Sequence, residues 1–183
     1  MKKQIVLVVM CFISIFTYAQ NSFVFDGIEF HDTKGWNFSP TQNSFMTQIT
    51  GVKTKFSYPA PKIYQIVVTK VQEPTEGINL EEYLQENIGQ LSMATMTGQG
   101  KYSLKIESIG NIYNGSINGN SAIYTDVIYD RKLGIEMKTR IYVFKIENEI
   151  FSIACTGRGS KKKDAWISEF EDLLSTFYYT PIE

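Results

Sequence analysis

The sequence predicts an α+β domain, a mainly antiparallel sheet flanked by two principal helices. Three observations carry that prediction. Segments rich in β-branched and aromatic residues come first, an apolar stripe at helical spacing interrupts them, and strand-like segments resume before a final apolar stripe. The later strand-like segments are joined by a few residues each, which makes them antiparallel neighbours, since a parallel crossover needs about a dozen. No period of about 20–50 residues recurs, so the chain is one domain and not a repeat array.

Residues 1–19 read as a secretory signal. Lys2 and Lys3 form a positive start, residues 5–16 an apolar run, and Thr17-Tyr18-Ala19 places small residues three and one before the cut. Cleavage after Ala19 leaves residues 20–183 as the single domain, beginning at Gln20. The run is shorter than the ~20 apolar residues that span a bilayer. Cys11 lies inside it, with residues 12–16 still to come, whereas a lipidated cysteine would close the run. An exported product with no stable membrane anchor is therefore expected.

Residues 22–30 read as a short hairpin or bulged strand around Asp26-Gly27. Residues 32–43 are turn-rich, with Trp36 as the one large apolar anchor, and 45–50 form a short strand. Two prolines within 57–61 break the pattern before the β-branched strand 63–71. Asn79 is a good helix N-cap, with Glu82 three residues on and Glu81 beside it in the acidic first turn. Leu80, Leu84, Ile88 and Leu91 then define one buried stripe, and Gly98 and Gly100 end the helix.

Strands are expected over 102–113, 121–129, 135–146 and 150–155. Asn114-Gly115 or Asn118-Gly119 turns the first, residues 131–134 the second, and Glu147-Asn148-Glu149 the third. After residues 157–160 a last helix is expected to bury Trp166, Phe170, Leu173, Leu174 and Phe177, leaving 178–183 as a tail.

Several ordered features carry a family likeness. They are Gly35-Trp36 after an aromatic strand, Leu80-Glu81-Glu82-Tyr83-Leu84, Asn118-Gly119-Asn120-Ser121-Ala122 and Arg140-Ile141-Tyr142-Val143. The segment 151–157 follows, then Trp166, Phe170 and Ser175-Thr176-Phe177. In these the chain resembles the PsbP/Mog1-like family, including its bacterial relatives of the DcrB type. The resemblance implies an α/β/α sandwich and mostly non-enzymatic roles, as accessory subunits, partner-binding proteins and chaperone-like adaptors.

Composition narrows the chemistry. Lys and Arg number 18 against 19 Asp and Glu, which leaves no basic stripe for nucleic acid. One histidine and two cysteines exclude a multi-histidine metal cage and a disulfide scaffold. Loss of the leader removes Lys2, Lys3 and Cys11, so 16 basic residues face 19 acidic ones and Cys155 is the lone cysteine. Cys155 shares a strand face with Phe151 and Ile153 and reads as a small buried hydrophobe. His31, beside Asp32 at a strand end, reads as solvent-facing. Asp126 interrupts an apolar strand and reads as solvated with Tyr124 and Ile128, opposite Ile123, Thr125, Val127 and Tyr129. Gly98-Gln99-Gly100 lacks the third glycine of a dinucleotide loop, and no zinc or calcium spacing occurs. The sequence thus assigns no catalytic, cofactor or metal residue.

One segment offers a site. Arg158, Lys161, Lys162 and Lys163 lie between the last strand and the last helix, within glycine-rich 156–163. Cations in a first helical turn oppose the macrodipole, and free amides beside them make a weak anion or partner contact. The functional expectation is a non-catalytic exported accessory or partner-binding protein of the cell envelope, periplasmic or secreted, whose partner is a protein or envelope component. The alternative is a small-molecule or lipid carrier with an apolar pocket between helix and sheet.

Overall fold

The computed structural model describes residues 22–57, 62–71, 77–97, 105–132, 135–158 and 166–182. Strands β1 (Ser22–Phe25) and β2 (Ile28–His31) form a hairpin. Asp26 and Gly27, at φ 52° and 75°, make the two-residue turn whose twist suits antiparallel strands. Next come β3 (Trp36–Gln42), β4 (Met46–Lys55) and β5 (Lys62–Val71), then helix α1 (Leu80–Thr97). The Asn79 side chain caps α1, its Oδ1 accepting from the Glu81 amide at 2.8 Å.

Strands β6 (Ile106–Ile109) and β7 (Tyr113–Ile117) lie along one edge of β8 (Asn120–Lys132), which continues into β9 (Ile135–Ile146) and β10 (Glu149–Arg158). The chain closes with α2 (Ser168–Leu174) and β11 (Phe177–Tyr179). The eight-stranded sheet runs β3-β4-β5-β10-β9-β8-β6, with β7 also on β8, and a three-stranded sheet runs β1-β2-β11.

The expected α+β sandwich with two principal helices is corrected by this arrangement. The protein is β-rich, with eleven strands, two helices and only antiparallel strand pairs among the described residues. The α/β/α sandwich that the PsbP/Mog1-like resemblance implied is overturned with it. Residues 36–42, expected as part of a turn-rich stretch, are an edge strand, the one place where Pro40 costs the ladder nothing. The last helix is seven residues long, and Phe177, expected on its buried side, begins a strand paired to β2. The single strand expected over 102–113 is divided. Gly110 donates its amide to the Asp126 carbonyl at 2.8 Å between β6 and β7, so the two pieces pair with different halves of β8.

The large sheet has two unequal faces. One carries the small sheet and α2, in a core that includes Ile28, Phe30, Ile66, Phe144, Phe151, Cys155, Trp166 and Phe177. The other carries α1, whose Leu84 and Ile88 pack with Val127, Ile141, Val143 and Ile150. That helix lies over β9 and β8. Among the described residues no helix lies above the β4-β5-β10 half of the face, and this asymmetry places the site.

Candidate functional site

A cleft of about 560 Å³ lies where α1 stops covering the sheet. Its wall is Tyr83, Asn87 and Gln90 on α1, and its floor is built from β4, β5, β9 and β10, with Phe45 at the rim. Side chains of a strand alternate between faces, so each floor strand gives every second residue to the cleft and the others to the main core. On β5 these are Gln65, Val67, Thr69 and Val71, while Ile66 and Val68 are buried on the far side.

Register orders the floor into bands. Met46 pairs with Val71, an apolar row. Gln48 pairs with Thr69 and Thr69 with Ser152, a polar row. Val67, Ala154 and Ile141 form a second apolar row, and Gln65, Thr156 and Thr139 a second polar one. In that last row the Thr139 and Thr156 hydroxyls lie 2.8 Å apart. Among the described residues lining the cleft none carries a formal charge. Tyr83 stays a neutral phenol, because burial pushes its pKa up, with Asn87 pulling slightly the other way.

The residues singled out from sequence fall elsewhere. Arg158 is the last residue of β10, opposite Met137, whereas Lys161, Lys162 and Lys163 lie outside the described residues. Helix α2 begins at Ser168 with Glu169 and Glu171 in its first turn, where the helix dipole favours acids. The leader residues 1–19 also lie outside the described residues. His31 is half exposed, 3.4 Å from Glu29 and edge-on to Tyr178. Cys155 is fully buried, and burial drives its thiol pKa far above the usual range.

Asp126 departs from the expectation of a merely solvated side chain. Arg140 sits directly opposite on β9 and grips it through two hydrogen bonds, Nε–Oδ1 2.7 Å and Nη2–Oδ2 2.9 Å. The guanidinium also lies 4.6 Å above the Tyr124 ring. This fork ties β8 to β9 inside the sheet.

Sequence reasoning named a pocket between helix and sheet but none of its residues. The signal was present in β5 and β10, central strands whose second faces read Gln-Val-Thr-Val and Ser-Ala-Thr. A face neither apolar throughout nor charged marks a surface that is covered only in part.

Among the described residues no helix is long and apolar enough to cross a membrane, and no group of three metal-capable side chains converges. No family model matches the chain, and no curated protein matches it. Two solved structures align with most of this chain. LpqN, involved in cell envelope biogenesis of Mycobacterium tuberculosis, superposes with a TM-score of 0.47 at 17% identity, over 84% of this chain and 83% of its own. A protein of Bacteroides thetaiotaomicron VPI-5482 superposes with a TM-score of 0.51 at 13% identity, over 87% of this chain and 48% of its own. The chain thus spans about half of that second protein, and what it shares with that protein is a fold.

Proposed function

We propose that this protein is a non-catalytic, exported binding protein of the cell envelope and that the cleft beside α1 holds its ligand. The carrying observation is the cleft itself, about 560 Å³ between a helix and a half-covered sheet face. That volume lies within the range of about 300–1,000 Å³ typical of small-molecule sites, which are mostly apolar with a few placed polar groups. Export is supported by the charged start, apolar run and small-residue cut of residues 1–19. Of the two sequence-based readings, the carrier is the one with a structural feature behind it.

The test uses the full chain expressed with its own leader and recovered from the envelope fraction. Native mass spectrometry should show a small-molecule adduct on the wild type. Val67→Trp, which fills the centre of the floor from a half-buried position, should lose that adduct while keeping its circular dichroism and melting temperature. A bare wild type, or an adduct equally abundant on the variant, would overturn the proposal.

A further inference from the structure

The banding of the floor says what kind of molecule the cleft takes. Successive rows on one sheet face are two residues apart, or about 7 Å, so the two polar rows stand about 13 Å apart with one apolar row midway. The central row is Val67, Ala154 and Ile141. An unbroken acyl chain laid along the strands would cover Gln48, Thr69 and Ser152 without answering their hydrogen bonds, and each such omission is costly. An ion fares worse, because among the described residues no lining side chain offers a countercharge and desolvating an unpaired charge is more costly still.

We infer that the cleft binds an uncharged amphiphile, with an apolar segment on the Val67–Ala154–Ile141 band and hydrogen-bonding groups at both ends that meet the flanking polar bands. This rests on the cleft being the ligand site. Recognition then has two parts. The amide and hydroxyl side chains, which donate and accept alike, select neutral polar ends such as amides or hydroxyls. The spacing of the bands selects the length between those ends.

Four eight-carbon probes of matched length separate these parts. They are octanediamide, octanedioate, 1,8-diaminooctane and 1-octanol, titrated at pH 7.5 while the backbone amides of Gln65, Val67, Thr69, Ser152 and Ala154 are followed by NMR. Octanediamide should shift these amides saturably, and the dianion, the dication and the singly headed alcohol should each bind at least about tenfold more weakly. Gln65→Lys, at an exposed position of the floor, should raise the affinity for octanedioate severalfold.

Equal binding of octanedioate or diaminooctane would overturn the selection against charge, and equal binding of octanol would overturn the banded recognition. Either result leaves the cleft as a ligand site. If no probe shifts these amides up to 20 mM, the inference fails. The adduct experiment with Val67→Trp then shows separately whether the cleft fails with it.

Discussion

Lys70 Nζ lies 2.7 Å from Asp26 Oδ2 and also donates to the Asp26 carbonyl oxygen at 3.0 Å, a buried ion pair that joins the two sheets. Lys70 belongs to the inward face of β5, and Asp26 is carried to it by the left-handed turn between β1 and β2. The Thr47 hydroxyl donates to the same carboxylate, and the ammonium lies 5.1 Å from the centre of the Tyr179 ring. With side chains only 6% and 14% exposed, neither charge can turn to water if its partner is lost.

Removing one partner should therefore cost more than removing both. Lys70→Met is expected to destabilise by roughly 3–5 kcal/mol, the penalty for stranding a buried charge. Asp26→Asn should cost a similar amount, although asparagine keeps the turn, since it tolerates the same positive φ. The double variant should recover most of the loss. A urea double-mutant cycle measures this, and strictly additive single losses would refute the coupling.

Gly51 is predicted to resist even a methyl group. Its backbone sits between Phe38 on β3 and Ile66 on β5, and a Cβ there would stand 2.6 Å from the Phe38 ring and 2.7 Å from Ile66. Its φ is an ordinary one, so the obstacle is space alone. Gly51→Ala should cost about 1–3 kcal/mol, the usual range for overpacking. The loss should shrink when Phe38→Leu removes the ring, as chemical denaturation of the single and double variants would show.

Local chemistry made much of this fold readable from sequence, and long-range pairing hid the rest. Asp26-Gly27, Asn118-Gly119 and Glu147-Asn148 mark real turns, because the first residue of each pair takes a positive φ. Asn79 and the Leu80, Leu84, Ile88 spacing fixed the start and the buried side of α1. Strand β3 was hidden because Pro40 reads as a breaker unless the strand is known to lie at an edge. Strand β11 was hidden because Phe170, Leu173, Leu174 and Phe177 keep helical spacing, while the pairing that makes Phe177 a strand residue is supplied by Phe30 at the far end of the chain. The cleft depends on how far α1 reaches across the sheet, which no local pattern encodes.

Cys155 should behave as a reporter of global unfolding. It is fully buried in the main core, and burial raises its thiol pKa well above the ordinary range, with Arg140 acting weakly in the opposite sense. The folded thiol stays protonated where an unfolded one, with a pKa of ~8.5, ionises. Unfolding then releases a proton, so stability is expected to fall as pH rises above about 8.5. Native protein should be inert to a thiol-reactive disulfide at pH 8, with labelling accelerated by urea in step with loss of structure. Cys155→Ala should flatten the alkaline decline relative to wild type, and rapid labelling of folded protein would contradict the burial.

Glu169 sets the opposite limb. Its carboxylate accepts from Lys55 Nζ at 2.7 Å and lies 3.7 Å from Lys53 Nζ, and the Lys55 hydrogen bond holds its pKa below the usual carboxylate value. It also occupies the first turn of α2, where the helix dipole favours an anion. A depressed folded pKa means that the stabilisation is present above the unfolded value of ~4.3 and is lost as pH falls through the folded one. Glu169→Gln should therefore be less stable than wild type at pH 7 and equal to it once the wild-type carboxyl is protonated. The gap at pH 7 should narrow as salt rises, because Lys55 is largely exposed and its field is screened. Thermal melts of both proteins from pH 2 to 7, at low and high salt, give the comparison. A gap that persists unchanged at pH 2 would mean that Glu169 contributes packing and not charge.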